Sequence, residues 1–154
     1  MSASARLEEL GIVLPAVAAP VAAYVPAVRS GDLVFTSGQL PTVAGELLAR
    51  GLVGSAVDAD QAKELARTCA LNGLAAVDAL VGLDSVVRVV KVVGFVASAP
   101  GFTGQPGVVN GASELLGEVF GDAGRHARSA VGVAVLPLDA PVEVELVVQV
   151  APTA

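Results

Sequence analysis

Apolar and polar positions alternate most clearly in the last third of the chain. Two β-rich runs, His126 to Pro137 and Val142 to Val150, are separated by Pro137-Leu138-Asp139-Ala140-Pro141, whose prolines cannot donate to a sheet ladder. The pattern predicts strand, tight connection, strand. A period of two places Arg128, Ala130, Gly132 and Ala134 on one face of the first strand, and Glu143, Glu145, Val147 and Gln149 on one face of the second. If the two strands are antiparallel, Arg128 and Glu143 fall at opposite ends of the sheet, roughly 23 Å apart. A site that uses both would then need more than one chain.

Upstream, the apolar pattern changes period several times. Ala3 to Leu10 has helical character and is stopped by Gly11, and Pro15 and Pro20 keep the next residues extended, so residues 1–22 are expected to form an arm. Residues 23–151 are expected to form a single domain. Ala23–Arg29 and Leu33–Gln39 read as a hairpin turning at Ser30-Gly31-Asp32. Gly38 in its second strand is either a bulge or a place where bare backbone faces a ligand. A third short strand is expected near Glu46 to Val53. Asp58 followed by Gln61 resembles a capping box and opens a helix from about 59 to 81. Ala62, Leu65, Ala66, Cys69, Ala70, Leu74, Val77 and Leu80 form its apolar stripe, with Lys63, Glu64, Arg67, Asn72 and Asp78 on the polar side. Val86 to Val96 is nearly continuous and β-branched, as in a central strand covered on both faces. Ala99 to Gly107 is Gly/Pro-rich and reads as a loop, and helical spacing resumes at Val109, Leu115, Leu116, Val119 and Phe120. The order β-β-β-α-β-α-β-β predicts an α+β domain with two helices packed on one face of a mixed sheet.

Composition narrows the function classes. The chain is 54% apolar and only 16% charged, more apolar surface than one small core absorbs, so a buried subunit interface is expected. Arg88 and Lys91 interrupt the longest Val-rich stretch, which predicts no membrane span. The N-terminus lacks a basic region and carries Glu8 and Glu9, against a secretory signal, so a cytoplasmic protein is expected. The single Cys69 and single His126 offer no disulfide and no metal site, and no cofactor motif is evident. Cys69 sits in the buried stripe and reads as a core thiol; His126 reads as a surface residue at a strand entry. Net charge −6 with nine scattered Lys and Arg disfavours nucleic acid as a partner.

Ala127-Arg128-Ser129, the alternating run to Leu136-Pro137 and Val142-Glu143-Val144-Glu145 resemble the C-terminal signature of the RidA (YjgF, L-PSP) family. Tyr24-Val25, Ser37-Gly38-Gln39-Leu40-Pro41, Gly45 and Asn72 follow in the family's order, and the likeness spans roughly residues 22 to 150. The resemblance implies a chorismate-mutase-like homotrimer with sites in the clefts between subunits, acting on small 2-imino or enamino acids. It implies that Arg128 holds the substrate carboxylate, that Glu143 activates water, that Tyr24 and Asn110 line the cleft, and that backbone near Ser37, Gly38 and Ala130 contacts the ligand. For Tyr24 a structural hydrogen bond is the competing role. Two features depart from the family: Ala130 stands where many members carry Cys, and the loop before Asn110 is about four residues longer. The chemistry of the residues fits, because an Arg fork binds a carboxylate bidentately and a carboxylate can deprotonate water attacking an already activated C=N bond. A trimeric binding module for small 2-oxo or amino acids without turnover is the main alternative. Ribonuclease or translation-inhibitor activity, for which parts of the family are named, is the third.

Overall fold

The computed structural model of the chain describes residues 1–20 and 22–153; of the arm, Val21 lies outside them. Five strands form the main sheet: β1 (Ala27–Ser30), β2 (Leu33–Thr36), β5 (Val86–Ala97), β6 (Ala127–Val133) and β7 (Val142–Val150), in the order β1-β2-β7-β5-β6. β5 and β6 are parallel and the other pairings antiparallel, so the sheet is mixed. β3 (Thr42–Val43) and β4 (Glu46–Leu47) form a separate two-stranded hairpin in place of the single strand expected near Glu46 to Val53. Ala44 and Gly45 both have positive φ there, which closes a tight turn before a longer strand can develop.

Two helices cover one face of the sheet, as expected, and a third packs against them from outside. α2 (Ala59–Val81) starts where Asp58 accepts a bond from the Gln61 N–H at 2.8 Å, and its apolar stripe packs on the sheet. Asn72 is only 2% exposed, so it belongs to the buried side and not to the solvated one. Its Nδ2 donates to the carbonyls of Leu40 and Thr42 at 3.1 and 3.0 Å, which ties the β3 hairpin to α2. α3 (Gln105–Phe120) begins inside the stretch expected to be loop, because proline is accepted in a first helical turn, where no N–H is needed. Gly111 lets α3 approach α2 closely, since a Cβ there would lie 1.9 Å from the Lys63 carbonyl. Ion pairs Lys63–Glu114 and Arg67–Glu118 bridge the same two helices at 3.0 and 2.9 Å. α1 (Ala3–Leu10) is the third: Ser4 bonds Asp84, Arg6 Nε bonds the Glu118 carbonyl, and Gly11 at φ 68 ends it.

The face away from the helices is open. β5 has neighbours on both edges, and its helix-side residues Val89, Val92 and Val96 are fully buried, whereas Val93 and Phe95 on the alternate face are only partly buried, so its middle is covered on one face and not on two. Val28, Phe35 and Val131 on the opposite face are each close to half exposed. The apolar excess of the composition therefore has a location. Among the described residues no helix is long and apolar enough to cross a membrane.

Candidate functional site

A bulge in β2 builds the first half of the site. Phe35 pairs with Val147, but Gln39 next pairs with Val144, so β2 spends one more residue than β7 over that interval. The Thr36 hydroxyl fills the gap in the ladder by accepting the Leu146 N–H at 2.9 Å. Ser37 is held by its N–H to the Pro26 carbonyl and by its hydroxyl to the Val25 carbonyl. Gly38 follows with its Cα bare, and Glu143 lies against it. A Cβ on Gly38 would stand 2.2 Å from Glu143 Oε1 and 2.8 Å from its Cδ, so both readings of this glycine hold: it is a bulge, and it is where a carboxylate meets bare backbone. Partial burial, reinforced by the nearby Glu145 charge, raises the Glu143 carboxyl above the usual range. Glu143, Ser37, Gly38 and Tyr24 share a cleft of about 600 Å³. Its other walls come from the arm, at Ala18 to Pro20 and Ala22, and from Pro137 and Leu138.

Arg128 builds the second half, on the other side of the sheet. It pairs in register with Val92, whose side chain faces the helices, and its guanidinium reaches α3. Nη1 donates to Asn110 Oδ1 at 2.8 Å and to Ser113 Oγ at 3.3 Å, and Nη2 donates to the Pro106 carbonyl at 3.2 Å. Three of the five donors are thus engaged, and among the described residues no acceptor takes the other two. His126 is part of this cluster and not a bystander at the strand entry. Its Nδ1 contacts the Gly124 carbonyl at 2.6 Å, and a carbonyl can only accept. Nδ1 therefore carries a proton, and in the tautomer with that proton alone Nε2 accepts from Ser113 Oγ at 2.8 Å. With its hydrogen committed to His126, the Ser113 hydroxyl turns its lone pairs to Arg128.

Arg128 and Glu143 do not meet within one chain, and the reason differs from the one expected. β6 and β7 are not neighbours; β5 runs between them. Arg128 is level with Val92 and Glu143 with Phe95, so the separation is roughly 14 Å, not the whole strand length. What divides them is the side of the sheet, Arg128 facing α3 and Glu143 the open face. The expected residues thus fall into two groups, Tyr24, Ser37, Gly38 and Glu143 in the cleft, and Asn110, Ala130 and Arg128 along α3 and the β6 edge. Ser113 escaped the sequence reading although it stands one helical turn from Asn110, a spacing that puts both on one face. The apolar arm residues carried no signal at all.

Burial, with the Glu143 charge second, pushes the Cys69 thiol well above its ordinary value, so it is no nucleophile at neutral pH. Among the described residues no three His, Cys, Asp or Glu side chains converge as metal ligands.

Comparison with known proteins agrees with this architecture. The family model described as "YjgF/chorismate_mutase-like, putative endoribonuclease" matches residues 4–150. The chain belongs to the YjgF family. A Trypanosoma cruzi relative, protein TCP17, is 47% identical over 148 residues, covering 95% of this chain and 92% of that protein. The crystal structure of an Agrobacterium tumefaciens protein of unknown function superposes with a TM-score of 0.89 at 48% identity, covering 97% of this chain and 92% of that one. E. coli TdcF, solved with bound serine, gives 0.62 at 28% identity, covering 90% and 96%. Both structures share the YjgF-like fold with this chain, and the first follows it more closely along its whole length.

Proposed function

We propose that this YjgF-family protein hydrolyses small 2-imino acids, or the enamino acids in equilibrium with them, to 2-oxo acids and ammonia, in sites shared between the subunits of a cytoplasmic homotrimer. The observation that carries the reading is Glu143: a partly dehydrated carboxylate of raised pKa, seated over bare backbone in a cleft, is a suitable general base for water. In this reading Arg128 of a neighbouring copy holds the substrate carboxylate through the two donors its own chain leaves over. Water adds to the C=N carbon as Glu143 takes one of its protons and returns it to the nitrogen, giving the carbinolamine; the C–N bond then breaks as the hydroxyl becomes the carbonyl, and the hydroxyl proton passes through Glu143 to the departing nitrogen, which leaves as ammonia. Tyr24 and Asn110 line the shared cleft, and the Ser37, Gly38 and Ala130 backbone contacts the ligand, with no thiol chemistry at Ala130. The opposite faces of Arg128 and Glu143 and the apolar open face both favour a shared site. The free thiol of Cys69 is consistent with a reducing cytoplasm.

Binding without turnover is the second reading, favoured by the serine seen in the E. coli relative. A ribonuclease has less support: Arg6, Arg29, Lys63, Arg67 and Arg125 are already paired with carboxylates, and a net charge of −6 disfavours a polyphosphate partner. The test is imine loss above the spontaneous rate, with the imine generated in situ by an amino acid oxidase, for wild type and Glu143→Gln. Calorimetry with a 2-oxo acid runs beside it, and sedimentation should give three times the 15.2 kDa chain mass. Binding of the acid with no excess rate in wild type would replace the hydrolase by the binding module.

A further inference from the structure

The connection between β6 and β7 is strained where it borders the cleft. Leu138 at φ 60 and Asp139 at φ 62 both adopt left-handed backbone. Aspartate tolerates that region, but a branched apolar residue rarely enters it. The turn is pinned from outside: Arg50 Nη1 donates to the Leu138 carbonyl, and the Gly51 N–H donates to the Asp139 carbonyl at 2.9 Å. A glycine would meet the same geometry without strain, so the arrangement keeps an apolar side chain at the cleft, where Leu138 is 55% exposed.

The arm supplies an independent part of the same wall. Ala18, Ala19, Pro20 and Ala22 line the cleft, brought there by a chain anchored at α1 through Ser4–Asp84 and Arg6–Glu118. Their side chains are small and apolar, and they leave open space instead of filling it. The polar groups collect elsewhere in the cleft, around Ser37 and Glu143. In the single chain the cleft measures about 600 Å³, which leaves room beside the apolar wall for a substrate side chain once a neighbouring copy adds its Arg128.

We propose that the cleft selects 2-imino acids bearing an aliphatic side chain of about four or more carbons, gripped between Leu138 and the arm residues Ala18, Ala19, Pro20 and Ala22. This rests on the hydrolase reading above, in which Glu143 marks the reacting end. No bond in the side chain changes, so its contacts appear as selectivity in kcat/KM.

The experiment compares kcat/KM for imines generated in situ from leucine and norleucine with those from alanine and serine. One methylene in an apolar pocket is worth about 10-fold or more, so the aliphatic imines should be preferred by at least that factor. Leu138→Gly, which also relieves the turn, and Ala19→Asp, which places a charge in the wall, should each shrink the preference. Equal kcat/KM across the series, or an unchanged preference in both variants, overturns the proposal. If no imine is hydrolysed above the spontaneous rate, the hydrolase reading fails by itself. Calorimetry with 4-methyl-2-oxopentanoate against pyruvate then decides the grip: about tenfold tighter binding of the larger acid supports it, and equal affinity removes it.

Discussion

Gly38 and Glu143 occupy one another's space: the carboxylate lies where the side chain of residue 38 would begin, with Oε1 only 2.2 Å from that position. Glycine at the bulge and the carboxylate on β7 are therefore a single structural unit.

Gly38→Ala should separate stability from activity. The atoms in the way are the far end of a flexible side chain, so Glu143 swings aside and the fold persists, with urea unfolding shifted by about 1 kcal/mol or less. Imine hydrolysis should fall by about 10²-fold, as expected when a general base leaves its place. Full activity in the alanine variant would show that the position of Glu143 over the bulge is irrelevant.

The raised Glu143 pKa gives a signed pH dependence. The folded pKa lies above the unfolded one, so the folded state binds the proton more tightly. Its stability relative to the unfolded chain is highest below the ordinary carboxylate range and declines as pH rises through the window between the two values. Glu143→Gln should remove this decline, gaining on wild type as pH rises through that window, as denaturation at several pH values would show. The rate should rise with pH over the same window as the base ionises. Glu145→Gln, which removes the repelling charge, should move the rate profile to lower pH.

Arg128→Lys should lose most affinity for a 2-oxo acid with the fold intact, because a point charge cannot replace the planar fork. Ser113→Ala tests its support. It removes one acceptor from Nη1 and leaves His126 Nε2 without its donor. Affinity should fall by about tenfold, the scale of one hydrogen bond to a charged group, with KM raised more than kcat is lowered and Ser113→Thr restoring the loss. Calorimetry and steady-state kinetics on the three proteins check this.

Asn72→Ala should destabilise the chain by about 1–3 kcal/mol, because the Leu40 and Thr42 carbonyls lose a buried donor. Urea denaturation reads the loss directly. The β3 hairpin should gain amide exchange in the variant, whereas β5 should keep its protection.

Signals that act over a few residues were legible in the sequence. Asp58 capping its own third neighbour, the apolar stripe from Ala62 to Val77, Gly11 ending α1 and the alternation of β7 each follow from local geometry, and these elements stand where the pattern put them. The strong reading of Arg128 and Glu143 as the polar exceptions of two strands was also local. Their relation was not. Only pairing among segments tens of residues apart sets β5 between β6 and β7, and that register turns Arg128 to the helices and Glu143 to the open face. The same holds for Asn72, polar by type yet buried because two distant carbonyls need its amide. It holds for His126, whose role appears only once Gly124 fixes its tautomer and Ser113 comes within reach. The arm is the extreme case: alanines and prolines announce no chemistry, and tertiary packing alone makes them a wall of the cleft.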